Sequence, residues 1–350
     1  MSSASKRIRV LFLTLYPDLA ASPRYRVAQF LPHLRKHGME CAVASAVTED
    51  EYSCKGRPLW YHVAELRHRV AQMLEASHYD VVFLQKAITT AYVRGNHTIL
   101  RRRARRLVYD IDDAVHLSPP SSLRGARRIV EDRAQVRKLM AMSDLVLAGN
   151  AWLRQEAENA GGNAVFFPTV VDTDRFVPSQ TGSPAFRVGW IGNPSTTPHL
   201  AAAADALESM NDTEVIAIGA DPHSVALTRA TVVPWSYETE VASIQSLSVG
   251  IMPLPKDEWT RGKCALKALQ YMACAIPCVA TPYGAVTDII QHGENGLFAD
   301  STQEWRDAFE RLRDPRERAR IGDAGRQTVI ERFSLASAAP RLVALLEGVA

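Results

Sequence analysis

The stretch Arg7–Tyr16, RIRVLFLTLY, is a nearly continuous apolar run near the start of the chain. Such a run is typical of a parallel strand that is buried on both faces. A polar loop follows at Pro17–Tyr25, and a helical pattern covers Arg26–His37 until Gly38, a residue type that commonly ends helices. Met39–Ser45 predicts the next strand. Strand, helix and strand in this order form a βαβ unit.

The same alternation continues through the rest of the chain. Further predicted strands are short apolar runs at Asp80–Leu84, Arg106–Asp110, Asp144–Ala148, Phe186–Ile191, Glu214–Ile218, Thr231–Pro234, Val249–Pro253 and Pro277–Ala280. Helical patterns cover Val63–Ser77, Gly125–Met142, His199–Met210, Cys264–Cys274 and nearly all of Gln303–Val349. This alternation predicts the α/β class with doubly wound parallel sheets. A composition break at Pro178–Pro184, PSQTGSP, predicts a linker between two such halves.

The composition excludes several classes of protein. The chain has 350 residues, a net charge of 41 − 38 = +3, 47% hydrophobic and 23% charged residues, ordinary values for a globular protein. No apolar run approaches the ~20 residues of a spanning helix, and Met1–Arg9 lacks the apolar core of a signal peptide. Five cysteines without a zinc-type spacing indicate reduced, buried thiols. We therefore expect a cytoplasmic protein that binds no nucleic acid, with a peripheral position on the inner face of the membrane as the alternative and the oligomeric state left open.

Three segments of the second half contain residues suited to an anion. Gly192–Thr197, GNPSTT, follows a strand, and its small residues form either a phosphate cradle or an ordinary strand-to-helix turn. It lacks the dinucleotide fingerprint, which argues against a dehydrogenase. Lys263 and Lys267 are predicted on one face of a helix, near its start. Two cations are unfavourable there unless an anion such as a diphosphate accompanies them. The alternative is that both are snorkelling lysines on a solvated face. Gly284, in Thr281–Ala285, allows close approach to a ligand or simply makes a tight connection.

Two segments of the first half contain candidate residues at strand ends. Asp110, Asp112 and Asp113 follow a strand, and three adjacent carboxylates favour a functional role over capping, which needs only one. Ser22, Arg24 and Arg26 are predicted near a helix N-terminus, as ligand contacts or as a solvated loop. The run Arg101–Arg106 favours a solvated helix face, with contact to an anionic membrane or acceptor as the alternative.

The most specific segment is Lys267–Ala299, KALQYMACAIPCVATPYGAVTDIIQHGENGLFA. With FFPTVVDTDRFVP at Phe166–Pro178 and SDLVLAGNAWL at Ser143–Leu153, it resembles family 4 of the retaining, nucleotide-sugar-dependent glycosyltransferases. The resemblance runs from Arg7 to Leu346 and implies the GT-B architecture, two Rossmann-like domains facing a central cleft. It implies an acceptor-side domain over 1–178, a nucleotide-sugar domain over 179–332 and a C-terminal helix, 333–350, that packs back on the first domain.

The chain departs from the family pattern at three places. The E-x7-E motif falls on Gly262 and Gln270, the usual Gly-Arg pair is Gly192-Asn193, and the glycine-rich loop is replaced by AASPRYR at Ala20–Arg26. The segments GNPST, RGKC and DIDD resemble a subgroup in which such replacements occur.

The resemblance implies that the chain transfers a hexose-type sugar from a nucleoside diphosphate to a sugar, lipid-linked or other hydroxyl acceptor, with retention. Cell-surface polysaccharide, glycolipid or glycoconjugate synthesis is the implied setting, and no cofactor or metal is expected. Catalytic roles are expected for Asp112, Asp113, Lys263 and Lys267, and the acceptor side is assigned to Ser22, Arg24 and Arg26. The donor-binding residues are expected to be Gly192, Asn193, Ser195, Thr196, Trp235, Gln270, Gly284 and Ala285.

Two alternative functions remain open. One is a non-catalytic subunit that binds nucleotide sugars on a degraded transferase scaffold, which the missing carboxylates favour and the retained lysines argue against. The other is a GT-B-type epimerase that acts on the nucleotide sugar itself.

Overall fold

The computed structural model describes residues 7–54, 57–117, 131–132, 134–179 and 185–350. The chain divides into two compact units, Met1–Thr169 with Ala338–Ala350 and Val170–Ser337. The division lies nine residues before the predicted boundary at residue 178. Most of the predicted linker, residues 180–184, lies outside the described residues.

Unit 1 is built on a six-stranded parallel sheet with the order β2-β1-β3-β4-β5-β6. Its strands are β1 (Arg9–Thr14), β2 (Glu40–Ser45), β3 (Val81–Gln85), β4 (Leu107–Ile111), β5 (Leu145–Ala148) and β6 (Ala164–Phe166). The strands β3, β4 and β5 are buried along their whole length, as their continuous apolar runs predict. The strand order changes direction between β1 and β3, which places a ligand site beyond the carboxyl ends of these strands.

The helices of unit 1 cover both predicted and unpredicted segments. Within the described residues they are α1 (Ala21–Arg26), α2 (Leu31–Lys36), α3 (Glu49–Ser53), α4 (Leu59–Glu75), α5 (Asn96–Arg103), α6 (Gln135–Met142) and α7 (Ala151–Asn159).

Two helix predictions in unit 1 were wrong. The segment predicted as one helix over Arg26–His37 is divided, because Pro32 cannot donate a backbone hydrogen bond and stands in the first turn of α2. The helix predicted over Gly125–Met142 begins only at Gln135 in the described residues. Glu131 instead makes an antiparallel bridge with Val93, and the earlier part of the prediction, residues 125–130, lies outside the described residues.

Unit 2 is built on a second six-stranded parallel sheet, with the order β12-β11-β10-β7-β8-β9. Its strands are β7 (Arg187–Ile191), β8 (Glu214–Ile218), β9 (Ala230–Val233), β10 (Val249–Met252), β11 (Cys278–Ala280) and β12 (Leu297–Phe298). The order reverses between β7 and β10, so the loops after these two strands border the expected ligand site. The predicted α/β class with two parallel sheets is confirmed.

The helices of unit 2 are α8 (Ala201–Glu208), α9 (Glu240–Gln245), α10 (Glu258–Arg261), α11 (Leu266–Ala273), α12 (Val286–Ile289), α13 (Thr302–Arg311) and α14 (Pro315–Arg332). The last helix, α15 (Leu335–Val349), begins in unit 2, and its residues from Ala338 onward belong to unit 1. There Arg341 donates a hydrogen bond to the Phe166 carbonyl oxygen at 2.6 Å.

Candidate functional site

The loop after β7 is held by hydrogen bonds between its own residues. Asn193 caps the following 3₁₀ turn, Pro194–Leu200, in a reciprocal arrangement with Thr196, and the Ser195 hydroxyl donates to Asn193 Oδ1 at 2.7 Å. A Cβ on Gly192 would lie 2.2 Å from the Trp190 ring and 2.9 Å from Lys267 Nζ. Only glycine fits at this position, because the indole and the ammonium occupy the space that a side chain needs.

Lys267 is the central charge of this cluster. Its Nζ lies 3.5 Å from Thr196 Oγ1 and 4.1 Å from the centroid of the Trp190 ring. Among the residues that the structure describes, no carboxylate lies within ion-pair distance of this half-buried ammonium. Burial and the nearby charge of Lys263 lower the pKa of Lys267 to about 7. An anion at this position would offset both effects.

Lys263 lies in the connection before α11, which corrects the prediction that both lysines share one helix face. Ala265 adopts a left-handed conformation, with φ of 55°, and the helix begins only at Leu266. Lys263 Nζ lies 5.6 Å from the centroid of the Trp259 ring. Both lysines also act on His199, a residue that the sequence analysis missed: burial and these two cations lower the pKa of its imidazole. Three basic side chains therefore lie close together, a cluster that favours an anionic ligand.

The turn containing Gly284 and Ala285 packs against the segment before Lys263. Gly284 has a φ of +69°, and a Cβ there would lie 3.2 Å from the Arg261 carbonyl oxygen. Ala285 and Val286 then begin α12. Amides at the start of a helical turn have no acceptor within it, so they can donate to a ligand.

Gln270 and Trp235 belong to one buried hydrogen-bond network centred on Glu240, which the sequence analysis also missed. Glu240 Oε1 accepts from Gln270 Nε2 at 2.9 Å and from Trp235 Nε1 at 3.1 Å. Its other oxygen accepts from Arg175 at 2.7 Å. Trp235 also lies near the loop after β7, and Gly219 stands between them. A Cβ on Gly219 would be 3.0 Å from Trp235 Cβ on one side and 2.4 Å from the Gly192 carbonyl oxygen on the other. The unit 2 candidates thus form one connected region.

In unit 1, Arg26 and Asp110 form a buried ion pair. Arg26 Nε donates to Asp110 at 3.1 and 3.2 Å, and its Nη1 donates to the Phe167 carbonyl oxygen at 2.9 Å. Desolvation raises the pKa of the Asp110 carboxyl, and the Arg26 guanidinium opposes that rise. Arg26 is 1% exposed, so the structure uses it inside unit 1 rather than on an acceptor-facing surface.

The remaining candidates of unit 1 surround the ends of β1, β3 and β4. Asp112 accepts a hydrogen bond from the Ser22 hydroxyl, and Gln85 Nε2 donates to Asp112 Oδ1 at 3.4 Å. Asp113 pairs with Lys86 at 3.1 Å. Burial alone would lower the pKa of Lys86, but the Asp113 and Asp112 carboxylates raise it. Gln85 and Lys86 were missed, although they follow a buried strand as Asp112 does.

The backbone is strained at Lys86, and the predicted position of Arg24 and Arg26 on their helix was wrong. Lys86 has a φ of 71°, a strained conformation for a residue with a side chain and one that clusters at functional sites. Arg24 and Arg26 lie in the last turn of the six-residue α1, not at a helix N-terminus as predicted. Only Ser22 lies in the first turn.

Two further findings concern metals and thiols. In the described part of the chain, no group of three His, Cys, Asp or Glu side chains is arranged to hold a metal ion. Cys274 and Cys278 are buried, and burial raises the pKa of the Cys274 thiol to about 12. Cys41, Cys54 and Cys264 are partly exposed, so the expectation of five buried thiols was wrong for these three.

Residues 186–314 match the family model described as Glycosyl transferases group 1. A stretch of 71 residues is 34% identical to N-acetyl-alpha-D-glucosaminyl L-malate synthase of Bacillus anthracis. This match covers 19% of the chain and 19% of that protein, so the chain matches about a fifth of its curated relative. Both findings support a glycosyltransferase family.

Solved structures match over nearly the whole chain. Sucrose-phosphate synthase from Thermosynechococcus elongatus has a TM-score of 0.75 at 16% identity, covering 98% of this chain and 99% of that one. Anabaena Alr3699/HepE in complex with UDP-glucose has a TM-score of 0.68 at 14% identity, covering 98% and 100%. A glycosyltransferase from Rickettsia africae has a TM-score of 0.71 at 12% identity, covering 99% of each. The chain has the GT-B fold.

Proposed function

We propose that this chain is a retaining glycosyltransferase that moves a hexose-type sugar from a nucleoside diphosphate to an acceptor hydroxyl. The observation that carries the proposal is Lys267, a half-buried ammonium in unit 2 without a carboxylate within ion-pair distance among the described residues. A buried cation is costly unless an anion accompanies it. The segment that holds it lies within the match to group 1 glycosyltransferases.

The diphosphate is the anion that fits this cluster. During sugar transfer, negative charge develops on the leaving diphosphate, and cations and backbone amides that are already in place stabilise it. Lys267 and Lys263 supply the positive charge in the proposal. The backbone amides of Ser195 and of the Gly284–Ala285 turn supply the hydrogen bonds, whereas the Thr196 amide already donates to the Asn193 carbonyl oxygen.

The nucleoside is assigned to the network around Glu240. Gln270 occupies the second position of the E-x7-E motif, and its amide is held at 2.9 Å by the Glu240 carboxylate. An amide fixed in this way keeps its carbonyl oxygen oriented to accept from a ribose hydroxyl. Trp235, held by the same carboxylate, offers an aromatic face to the base. That HepE was solved with UDP-glucose supports a uridine nucleotide as the first donor to test.

Asp112 is assigned to the sugar or the acceptor hydroxyl. Asp110 is neutralised by Arg26 and Asp113 by Lys86. Asp112 accepts hydrogen bonds from Ser22 and Gln85, and its charge also acts on Lys86. A carboxylate in this position can stabilise an oxocarbenium-like sugar or take up a proton from the acceptor hydroxyl.

Titration with nucleotide sugars followed by kinetics tests the proposal. A donor at about 100 times its dissociation constant should stabilise the fold by roughly 2.7 kcal/mol, a rise visible in thermal melting. Lys267→Ala should lower transfer by about 10²-fold or more, while Lys36→Ala, on the exposed part of α2, should not. Wild-type kinetics in a folded Lys267→Ala variant would contradict the assignment.

Further assays test retention, the metal requirement and the two alternative functions. Nuclear magnetic resonance of the glycoside should show the anomeric configuration of the donor, and an inverted product would overturn retention. Activity should survive EDTA, whereas loss restored by Mn²⁺ or Mg²⁺ would show a metal requirement. Incubation with the donor alone distinguishes the other classes: an epimerised nucleotide sugar indicates an epimerase. Binding without turnover or hydrolysis, with acceptor also supplied, indicates a non-catalytic subunit.

A further inference from the structure

The helix α4 buries two charged residues and exposes several large apolar ones. Its buried side contains Glu65 and Arg69, which are 1% and 0% exposed. Glu65 accepts from the Thr90 amide at 2.7 Å, and Arg69 donates to the carbonyl oxygens of Thr14 and Ile88. These bonds satisfy the buried charges, which share the buried side of the helix with Tyr61 and Met73.

The outward side of α4 is apolar. Five large apolar residues on it are between 37% and 70% exposed. They are Leu59, Trp60, Val63, Val70 and Leu74. At 100° per residue, these positions fall within one 100° sector of the helix, so they form a continuous stripe along its length. Such a stripe on a water-facing helix marks an interaction surface.

Exposed basic residues accompany this stripe. Arg67 is exposed within the same sector. The helix α5 packs against α4 and against the 3₁₀ turn that follows it, and it ends in Arg101, Arg102 and Arg103. Arg102 and Arg103 are exposed, and Ile99, one turn earlier, adds another exposed apolar side chain.

We propose that the outward face of α4, with the arginines at the end of α5, docks on an anionic lipid membrane surface. An apolar stripe that enters the acyl boundary, basic residues at its margin and a tryptophan are the features with which amphipathic helices lie in a membrane interface. In the described residues, no helix is long and apolar enough to cross a membrane, and this docking needs none. The exposed Arg67, Arg102 and Arg103 favour anionic lipid headgroups over a second copy of the same face.

Vesicle flotation of the full chain tests the proposal. The wild type should float with vesicles of phosphatidylcholine mixed with phosphatidylglycerol, and far less with phosphatidylcholine alone. Val63→Glu with Leu74→Glu should reduce binding at least about tenfold, since both side chains would enter the apolar boundary charged. The matched control is Ile330→Glu, which charges an exposed apolar position on α14.

The arginines are tested separately. Arg102→Glu with Arg103→Glu should reduce binding to anionic vesicles by about tenfold or more, and added salt should weaken wild-type binding. Arg306→Glu with Arg316→Glu, at exposed positions of α13 and α14, gives the same charge change away from this face. Melting temperatures close to wild type should accompany all four variants, because every substituted position is exposed.

Three outcomes would overturn the proposal. They are failure of the wild type to bind anionic vesicles, equal loss in the Ile330→Glu control, and a dimer in light scattering that dissociates when Val63 and Leu74 are replaced. The last result would assign the face to a second copy of the chain. A blue shift of tryptophan fluorescence on vesicle binding that disappears in Trp60→Phe would place α4 in the interface directly.

Discussion

Raising the pH above neutrality should weaken UDP binding, because the charge of Lys267 depends on pH in this range. Burial and repulsion from Lys263 lower the pKa of Lys267 to about 7, whereas an exposed lysine titrates near about 10.4. A diphosphate beside Nζ favours the charged form and therefore raises the pKa again. Above neutrality, UDP binding should take up a proton, and each further rise in pH should cost affinity.

The size of the effect follows from this pKa. If the pKa of Lys267 in the UDP complex lies well above 9, the dissociation constant of UDP rises between pH 7 and pH 9 by about (1 + 10²)/(1 + 1), roughly fifty-fold. The Lys267 side chain keeps part of its surface exposed, so water weakens these interactions and fifty-fold is an upper value. Near pH 8 only about a tenth of the free protein has Lys267 charged, so about 0.9 proton is taken up per UDP.

Isothermal titration calorimetry measures both quantities. Titrations of UDP in buffers of different ionisation enthalpy give the proton uptake, and a pH series gives the affinity. Lys267→Met preserves most of the side-chain volume and removes the titrating group. This variant should bind UDP weakly, with little pH dependence and no proton uptake near pH 8. Constant wild-type affinity from pH 7 to pH 9, or the same proton uptake in Lys267→Met, would refute the reasoning.

Three further predictions test other parts of the site. Asp112→Asn should lower turnover by about 10²-fold and leave the calorimetric affinity for UDP nearly unchanged; a parallel fall in affinity would contradict its assignment. Arg26→Met should destabilise the fold by about 3–5 kcal/mol in urea unfolding, because it leaves Asp110 buried and unpaired, and a loss below about 1 kcal/mol would show that the pair matters little. Gly192→Ala should cost about 1–3 kcal/mol and weaken UDP binding, since its Cβ would overlap the Trp190 ring; unchanged melting and affinity would show that the loop relaxes freely.

The sequence predicted the central strands because burial on both faces leaves a continuous apolar run. The strands β6 and β12 were missed, since three and two residues are too few to show such a pattern. The long helix predicted to end at Met142 was wrong for a different reason. Helix propensity is a local property, and the pairing of Glu131 with Val93 is a tertiary contact that overrides it.

The candidate site was predictable where its residues follow strands. The loop after β7 and the turn at Gly284 could be found in this way, because the fold class fixes where strand ends meet. Glu240 and Arg175 could not be found in this way. They lie 30 and 95 residues before Gln270, and only the folded chain brings them together. The Arg26–Asp110 pair, separated by 84 residues, was hidden for the same reason.

The charge balance of the two units supports the proposed division of labour between them. In unit 1, Arg26 neutralises Asp110 and Lys86 neutralises Asp113. Such internal pairing suits a partner without charge, such as a hydroxyl acceptor. In unit 2, Lys267 lies near Lys263 and His199, and the pKa values of Lys267 and His199 are both lowered. A folded chain retains this repulsion only at a cost to its own stability. Binding a diphosphate would favour the charged form of Lys267 and remove that cost, which would strengthen the selection for the donor.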